Sequence, residues 1–583
     1  MSRSVRDAAF DAARAVHRFP WPLGAVSAAA VGLGAGMNAA GMHDPALYAA
    51  AGGAAGGVGS CCWWWGRHVM RPGSAKALLA RMNEYHQRSG GTASRLDIQQ
   101  HASPAALRRQ ARVVRPSLRD VSWWRLRRTP MRELGVQLLE TGLGWLPGEQ
   151  VWSTPEDTTT VVGGPRTGKT GLLACFGNDA PGALVTTSTR SDLAEWVHQV
   201  RSGDGRAVHL FNPSGYVDVP STVRWSVLTG CADYATATRR AAALIPSAGE
   251  GEAARWDEAA RPVLALLLHA AALSGLRMID VLRWVGDEPD RNGRCRARDQ
   301  VIEAVLTVAD GGPIRAAQAR HFWGLNDRTR TSITHTMRRG LDWMSHDQAR
   351  ELGDAPTETT TLDIGRLIVE RETLHLFGHE SQEGLGPLNA CLVDEIAHQA
   401  RRAAGAMLEG RLDPPLTMVL DEAALVCPVP LDKWTADMGG RGVTIHTSVQ
   451  SLAQLRQRWG SDGAGTILGN TNNLLVYGGG NGADDLRDIS TLTGDSRHRV
   501  AGVDDDDPNS HRWAAVLDEA QLRALGKGQV LLLRRGLLPI VGWAPRIWER
   551  GKPPARMPLT DTPAPSTTSR IALPEQAKAG EAP

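Results

Sequence analysis

At 583 residues the chain is several times the usual single-domain length, which excludes a lone small module and sets two or more domains as the expectation. Hydrophobic residues make up 42% and charged residues 22%, a globular balance that excludes a fully disordered chain. Lys+Arg 65 against Asp+Glu 62 gives only +3, so any nucleic-acid contact must come from local patches, and seven cysteines without a C-x-x-C pair indicate neither a zinc site nor a disulfide framework.

In chain order, residues 1–18 form a basic leading segment, expected on the cytoplasmic side. Charge then vanishes over residues 19–42 and again over 45–66, each stretch long enough to cross a bilayer core as a helix. Residues 19–66 therefore read as a transmembrane helical hairpin. Arg3, Arg6, Arg14 and Arg18 precede it and Arg67, Arg71 and Lys76 follow it, which the positive-inside rule places in the cytoplasm. Trp21 and Trp63, Trp64 and Trp65 fall at the same interface, and Gly32/Gly36, Gly52/Gly56 and Gly53/Gly57 offer small faces for helix contact. The Ala- and Gly-rich composition leaves a soluble helix pair as the alternative. The expected location is the inner membrane, multi-pass, with everything after Arg67 in the cytoplasm.

Residues 67–141 form a basic juxtamembrane segment. Between Arg108 and Arg132 it holds nine arginines, with Trp123 and Trp124 interleaved and Asp120 as the only acid. Membrane lipid headgroups, nucleic-acid phosphate and a plain solvated face all remain open as readings. Beyond it the pattern is α/β, split into 142–231 and 353–550, with strands expected at 159–162, 183–187, 207–211, 373–377, 417–420, 443–447 and 474–477. Over 232–352 helical runs replace strands, which reads as an all-helical insertion domain. Its Arg328, Arg330, Arg338 and Arg339 are candidate nucleic-acid contacts or a solvated face. Residues 551–583 are rich in Pro, Thr, Ser and Ala and read as a disordered tail.

Gly163, Gly164, Pro165, Arg166, Thr167, Gly168, Lys169 and Thr170 fit G-x-x-x-x-G-K-[ST] at every fixed position, between a β-branched run and a helical pattern. Glycines let the backbone wrap phosphate, Lys169 neutralises β/γ charge, and the Thr170 hydroxyl is suited to Mg²⁺. Residues 417–420 are an apolar strand ending in Asp421 and Glu422. The first acid suits the Mg²⁺ shell, through water, and the second suits polarising an attacking water. The next strand ends near Ser448 and Gln450, and a polar side chain there, Gln450 above all, is placed to sense the γ-phosphate or orient water. ATP and Mg²⁺ are the expected ligands.

These residues, in order, resemble the TraG/TraD-type coupling proteins of conjugative type IV secretion. The resemblance runs roughly over 142–543 and includes T-S-T-R-S-D-L at 187–193, L-F-N-P-S-G at 210–215, R-W-D-E-A-A-R at 255–261, T-L-H-L-F-G at 373–378, V-L-D-E-A-A at 419–424 and R-G-V-T-I-H-T-S-V-Q at 441–450. It implies a RecA-like P-loop NTPase, a motor ATPase that assembles as a homo-hexamer at the membrane. Its implied partners are single-stranded DNA carried by a relaxase or relaxosome, and the ATPase and membrane components of the secretion channel. It also implies catalytic roles for Glu422 and Gln450, and for Arg441 a trans-acting role on the neighbouring subunit's nucleotide. Asn212 departs from the family's F-D-P, putting a carboxylate role there in doubt. An FtsK-type double-strand translocase, a coupling protein for protein effectors and a non-hydrolysing membrane scaffold are the rival readings.

Overall fold

Buried runs of Val, Thr and Leu assemble into one large sheet whose two faces are both covered. The computed structural model describes residues 91–142, 148–246, 251–379, 381–499 and 511–551. The expected leading segment at 1–18, the membrane hairpin at 19–66, residues 67–90 and the tail from 552 lie outside the described residues. Among the described residues, no helix is long and apolar enough to cross a membrane.

The strands are β1 (Val136–Glu140), β2 (Gln150–Ser153), β3 (Thr159–Val162), β4 (Leu184–Ser188), β5 (Val208–Phe211), β6 (Thr373–Phe377), β7 (Leu416–Leu420), β8 (Val443–Val449), β9 (Asn473–Tyr477), β10 (Asp495–Arg499), β11 (His511–Ala515), β12 (Gln529–Arg534) and β13 (Ile540–Trp543). Eleven of them form one sheet in the order β2-β1-β13-β12-β9-β3-β8-β7-β4-β6-β5, and β10 and β11 pair as a separate ribbon. From β9 to β5 every neighbouring pair is parallel, and from β2 to β9 every pair is antiparallel. The fold is therefore mixed α/β with a large parallel part.

All seven expected strands are found, and all seven lie in the parallel part. The antiparallel strands β1, β2, β12 and β13 were not expected. Residues 136–140, read from sequence as part of the juxtamembrane segment, form β1 and pair with β2 and β13. The last part of that segment thus belongs to the sheet.

Alternation along the strands explains the double burial. Val161 and Val419 face a core built from the helices Lys169–Asn178 and Asp192–Gly203, including Leu172, Phe176 and Val197. Val162, Met418 and Leu420 face the other core, shared with Leu264, Trp284 and Leu388. Helices alone occupy the chain between β5 and β6 among the described residues, from Tyr234–Leu244 to Ile364–Val369. The long one, Glu252–Leu273, buries Leu264 to Ala271.

This helical part is fastened to the sheet rather than hinged off it. Trp225 N–H and Val227 N–H donate to the carbonyls of Leu352 and Gly353, joining the chain that enters it to the chain that leaves. Arg240 is fully buried, pairs with Glu395 on the helix Gly386–Gly405 at 3.0 Å, and stacks over Trp225 with its guanidinium carbon 4.5 Å from the ring centre. A buried charge with both a partner and an aromatic face is costly to detach, because its release strands the glutamate.

Candidate nucleotide site

The register brings three strand ends level. Val162 of β3 lies opposite Val449 of β8, and Leu420 of β7 lies opposite Thr447 of β8. The loops that leave these ends carry Gly163 to Thr170, Gln450, and Asp421 with Glu422. Residues more than 250 positions apart in sequence thus meet at the carboxyl edge of the parallel sheet, where open α/β sheets bind ligands.

The P-loop is built by close approach. A Cβ on Gly163 would lie 2.8 Å from Tyr477 Cβ, and Gly168 has φ +112°, a conformation that needs glycine. Tyr477, at the end of β9, also donates its hydroxyl to the Gly168 carbonyl at 3.4 Å. Thr167 Oγ1 donates to the Gly164 carbonyl at 2.9 Å and closes the turn. Pro165 and Arg166 stand exposed at the tip, and Arg166 is held at φ 61°. Lys169 starts the helix Lys169–Asn178, and its amine donates to the carbonyls of Gly163 and Gly164. Burial pulls the Lys169 ammonium below its ordinary pKa, and the Asp421 and Glu422 carboxylates oppose that pull.

Asp421 is buried between β4, β7 and β8. Its Oδ2 lies 3.5 Å from Thr170 Oγ1, its Oδ1 accepts from Ser448 Oγ, and its backbone carbonyl accepts from Thr187 Oγ1 at 3.0 Å. Burial pushes its carboxyl up to about 6, against the lowering by the Ser448 hydrogen bond and Lys169. Glu422 sits at φ 49° and ψ 45°, a left-handed backbone that a side chain rarely adopts. Its N–H donates to Ser448 Oγ at 3.3 Å, and Gln450 Nε2 is 3.5 Å from its Oε1. Its other carboxylate oxygen is buried with no partner among the described residues. An orphaned carboxylate oxygen beside a glutamine amide, at the edge of a phosphate loop, is suited to accept a proton from a water placed there. Thr170 Oγ1 and Asp421 Oδ2, facing each other, form the hard oxygen pair that Mg²⁺ takes, so the residues fit the ion.

Arg441 is not brought to this site. It lies before β8, at the end of the sheet opposite Gln450, and its Nε pairs with Asp437 at 2.8 Å. Of the insertion arginines, Arg330 and Arg339 are tied to Asp327 at 2.6 Å and Asp257 at 2.7 Å, whereas Arg328 and Arg338 are exposed without an ion pair among the described residues. Of the two polar residues expected at this strand end, Ser448 donates to Asp421 and accepts from the Glu422 N–H, while Gln450 lies beside the Glu422 carboxylate. They are two residues apart, a spacing that period-2 geometry turns to the same side. The Asn212 departure has a physical account. Its amide donates to the carbonyls of Val217 and Val219, each at 2.8 Å, and its oxygen accepts from Ser214 Oγ at 2.7 Å. A carboxylate could not donate the first two bonds.

Two family models match the chain. The model described as the type IV secretion-system coupling protein DNA-binding domain matches residues 151–278, and that described as the TraM recognition site of TraD and TraG matches 415–522. The first spans the P-loop and the second spans Asp421, Glu422 and Gln450. No curated protein matches in sequence. Among solved structures, an unbound form of the bacterial conjugative coupling protein TrwB aligns at 17% identity over 67% of this chain and 84% of its own, with a TM-score of 0.51. TrwB with the ATP analogue ADPNP aligns at 17% over 70% and 88%, TM-score 0.51, and TrwB with ADP and Mg²⁺ at 16% over 70% and 87%, TM-score 0.50. These likenesses show a shared fold. Both family models match in order, one on each half of the site that the sheet brings together, so over residues 151–278 and 415–522 the chain is similar to the TraG/TraD-type coupling proteins.

Proposed function

We propose that this protein is a membrane-anchored coupling ATPase that binds ATP with Mg²⁺, hydrolyses it, and uses the cycle to pass a relaxase-bound single DNA strand to a type IV secretion channel. The observation that carries the reading is the meeting of Lys169, Thr170, Asp421, Glu422 and Gln450 at one sheet edge. The nucleotide and DNA parts draw on the TrwB complexes and on the DNA-binding description of the matching model. The membrane part rests on the charge-free stretches at 19–66, and the homo-hexamer and channel partners on the family resemblance.

In this mechanism the P-loop backbone cradles the phosphates and Lys169 balances their charge. Thr170 would hold Mg²⁺ directly and Asp421 through water, and the ion supplies neutralisation of the β/γ charge. Glu422 takes the proton of the attacking water while Gln450 holds that water in line. Arg441, on the opposite edge of its own subunit, acts on a nucleotide only if a neighbour presents one to it.

The test is ATP turnover by the full chain, alone and with single- or double-stranded DNA, at two salt concentrations. Turnover stimulated by single strands and weakened by salt is expected. Lys169→Ala should reduce it to background. Preference for duplex would favour the FtsK-type reading, indifference to DNA would favour protein cargo, and a parent no faster than Lys169→Ala would favour a scaffold.

A further inference from the structure

The arginine-rich segment divides into residues that look inward and residues that look out. Arg115 pairs with Asp413, whose other oxygen accepts from Ser117 N–H at 2.7 Å, and Arg119 pairs with Glu409. Leu126 is buried against Leu107, Leu134 and Trp152. Asp413 precedes β7 and Asp421 follows it, so these contacts fix the segment to the pole of the sheet opposite the nucleotide site.

The rest of the helix Trp123–Arg128 is presented outward. Trp123 is 51% exposed and Trp124 71% exposed, their rings edge to face with centres 5.1 Å apart. The Arg127 guanidinium carbon lies 4.3 Å from the Trp123 ring centre. Arg125, Arg127 and Arg128 are exposed, and none pairs with a carboxylate among the described residues. Two adjacent exposed indoles are costly in bulk water, and three unpaired guanidinium groups beside them call for an anionic partner.

We propose that the Trp123–Arg128 helix docks into the headgroup layer of an anionic membrane, indoles at the level where amphipathic rings settle and arginines on lipid phosphate. The proposal rests on the membrane-anchored reading and adds a second, peripheral contact that sets which pole of the sheet faces the bilayer. Charge complementarity favours lipid, and so does chain order, since this helix belongs to the first described residues after the apolar stretches at 19–66. A moving DNA strand fits less well, because contacts that drive it must shift with the nucleotide. This segment is instead pinned to the loop before β7, away from the site.

The test is amide hydrogen exchange of the full chain in nanodiscs of phosphatidylcholine alone or mixed with phosphatidylglycerol, with and without a single-stranded oligonucleotide. Slower exchange over residues 121–129 in the anionic discs is expected. It should be lost in the triple variant R125Q/R127Q/R128Q and weakened in W123F/W124F, with core peptides unchanged as the check on folding. Equal exchange in both discs, or slowing by the oligonucleotide alone, would overturn the proposal. A chain that does not enter nanodiscs would overturn the membrane hairpin instead. Flotation of that chain with phosphatidylglycerol vesicles would then decide the helix by itself, and failure to float would overturn it.

Discussion

The two parts of the main sheet do different work. The parallel part, β9 to β5, carries at its carboxyl edge nearly every side chain that the proposed hydrolysis needs, and holds that edge with buried polar groups such as Thr187, Ser448 and Asp421. The antiparallel part, β2 to β12, carries no predicted site residue. The short helix Ile547–Arg550 that follows β13 backs the P-loop helix: Trp548 packs over Gly171, where a Cβ would come within 2.5 Å of the indole, and Arg550 pairs with Asp179 at that helix's end at 2.8 Å. Chemistry gathers where parallel strands end together, because their helix N-termini and loops all open on one side. Antiparallel strands send alternate ends the other way and serve here as a frame.

Substitutions can break or sharpen this contrast. The largest effect is expected for Glu422→Gln, which removes the proposed proton acceptor while keeping the shape, so turnover should fall by about 10²- to 10⁴-fold with nucleotide binding retained. Equal turnover in parent and variant would place the base elsewhere. Ser448→Ala removes a hydrogen bond to a buried carboxylate, a loss of about 1.5–3 kcal/mol that should weaken Mg²⁺-dependent nucleotide binding about tenfold or more, read by titration with a fluorescent ATP analogue.

His446, in the middle of β8, has both ring nitrogens buried without a partner among the described residues and lies against Phe176, ring centres 4.5 Å apart. Burial holds its pKa down to about 3. The unfolded chain binds this proton below about pH 6.5 and the folded chain does not, so stability is complete above that pH and declines as pH falls toward the folded value. Each unit costs about 1.4 kcal/mol in that window. Denaturant midpoints from pH 7 to 5 should therefore fall less steeply in His446→Leu than in the parent. The smallest effect belongs to the frame. Arg550→Ala should cost about 1 kcal/mol, discounted because the guanidinium is partly solvated, and leave turnover at saturating ATP unchanged. A turnover loss as large as that of Ser448→Ala would show that the frame takes part in the chemistry.

The same division governs what could be read from residues alone. The seven parallel strands are short apolar or β-branched runs bounded by turns, all but β5 fully buried, and such runs announce themselves. Strands β1 and β2 are not so marked: Val136–Glu140 lies beside the arginine-rich stretch and mixes polar with apolar residues, and Gln150–Ser153 is four residues long. β12 and β13 are strongly apolar, yet they follow the last recognisable motif block and nothing in their own pattern assigns them a partner. Of the site, the P-loop, Asp421, Glu422 and Gln450 were legible because their spacing to a strand end is local. Tyr477 was not, and Ser448 was legible only as a polar residue at its strand end, since the contacts that matter run across strands.

The sequence by itself determined that the chain carries a Gly-rich loop of the kind that holds phosphate, that an acidic pair ends a later strand, and that helices replace strands between them. These are properties of short segments, settled by backbone freedom and by the periodicity of burial. Only the tertiary structure decided that β8 separates β3 from β7, so that a serine on β8 orients the aspartate after β7. It also decided that Arg441 is carried to the far edge and that the Trp123–Arg128 helix is pinned to the pole away from the nucleotide. Strand order and long-range pairing depend on how all the buried faces are satisfied at once, and no local stretch of residues contains that information.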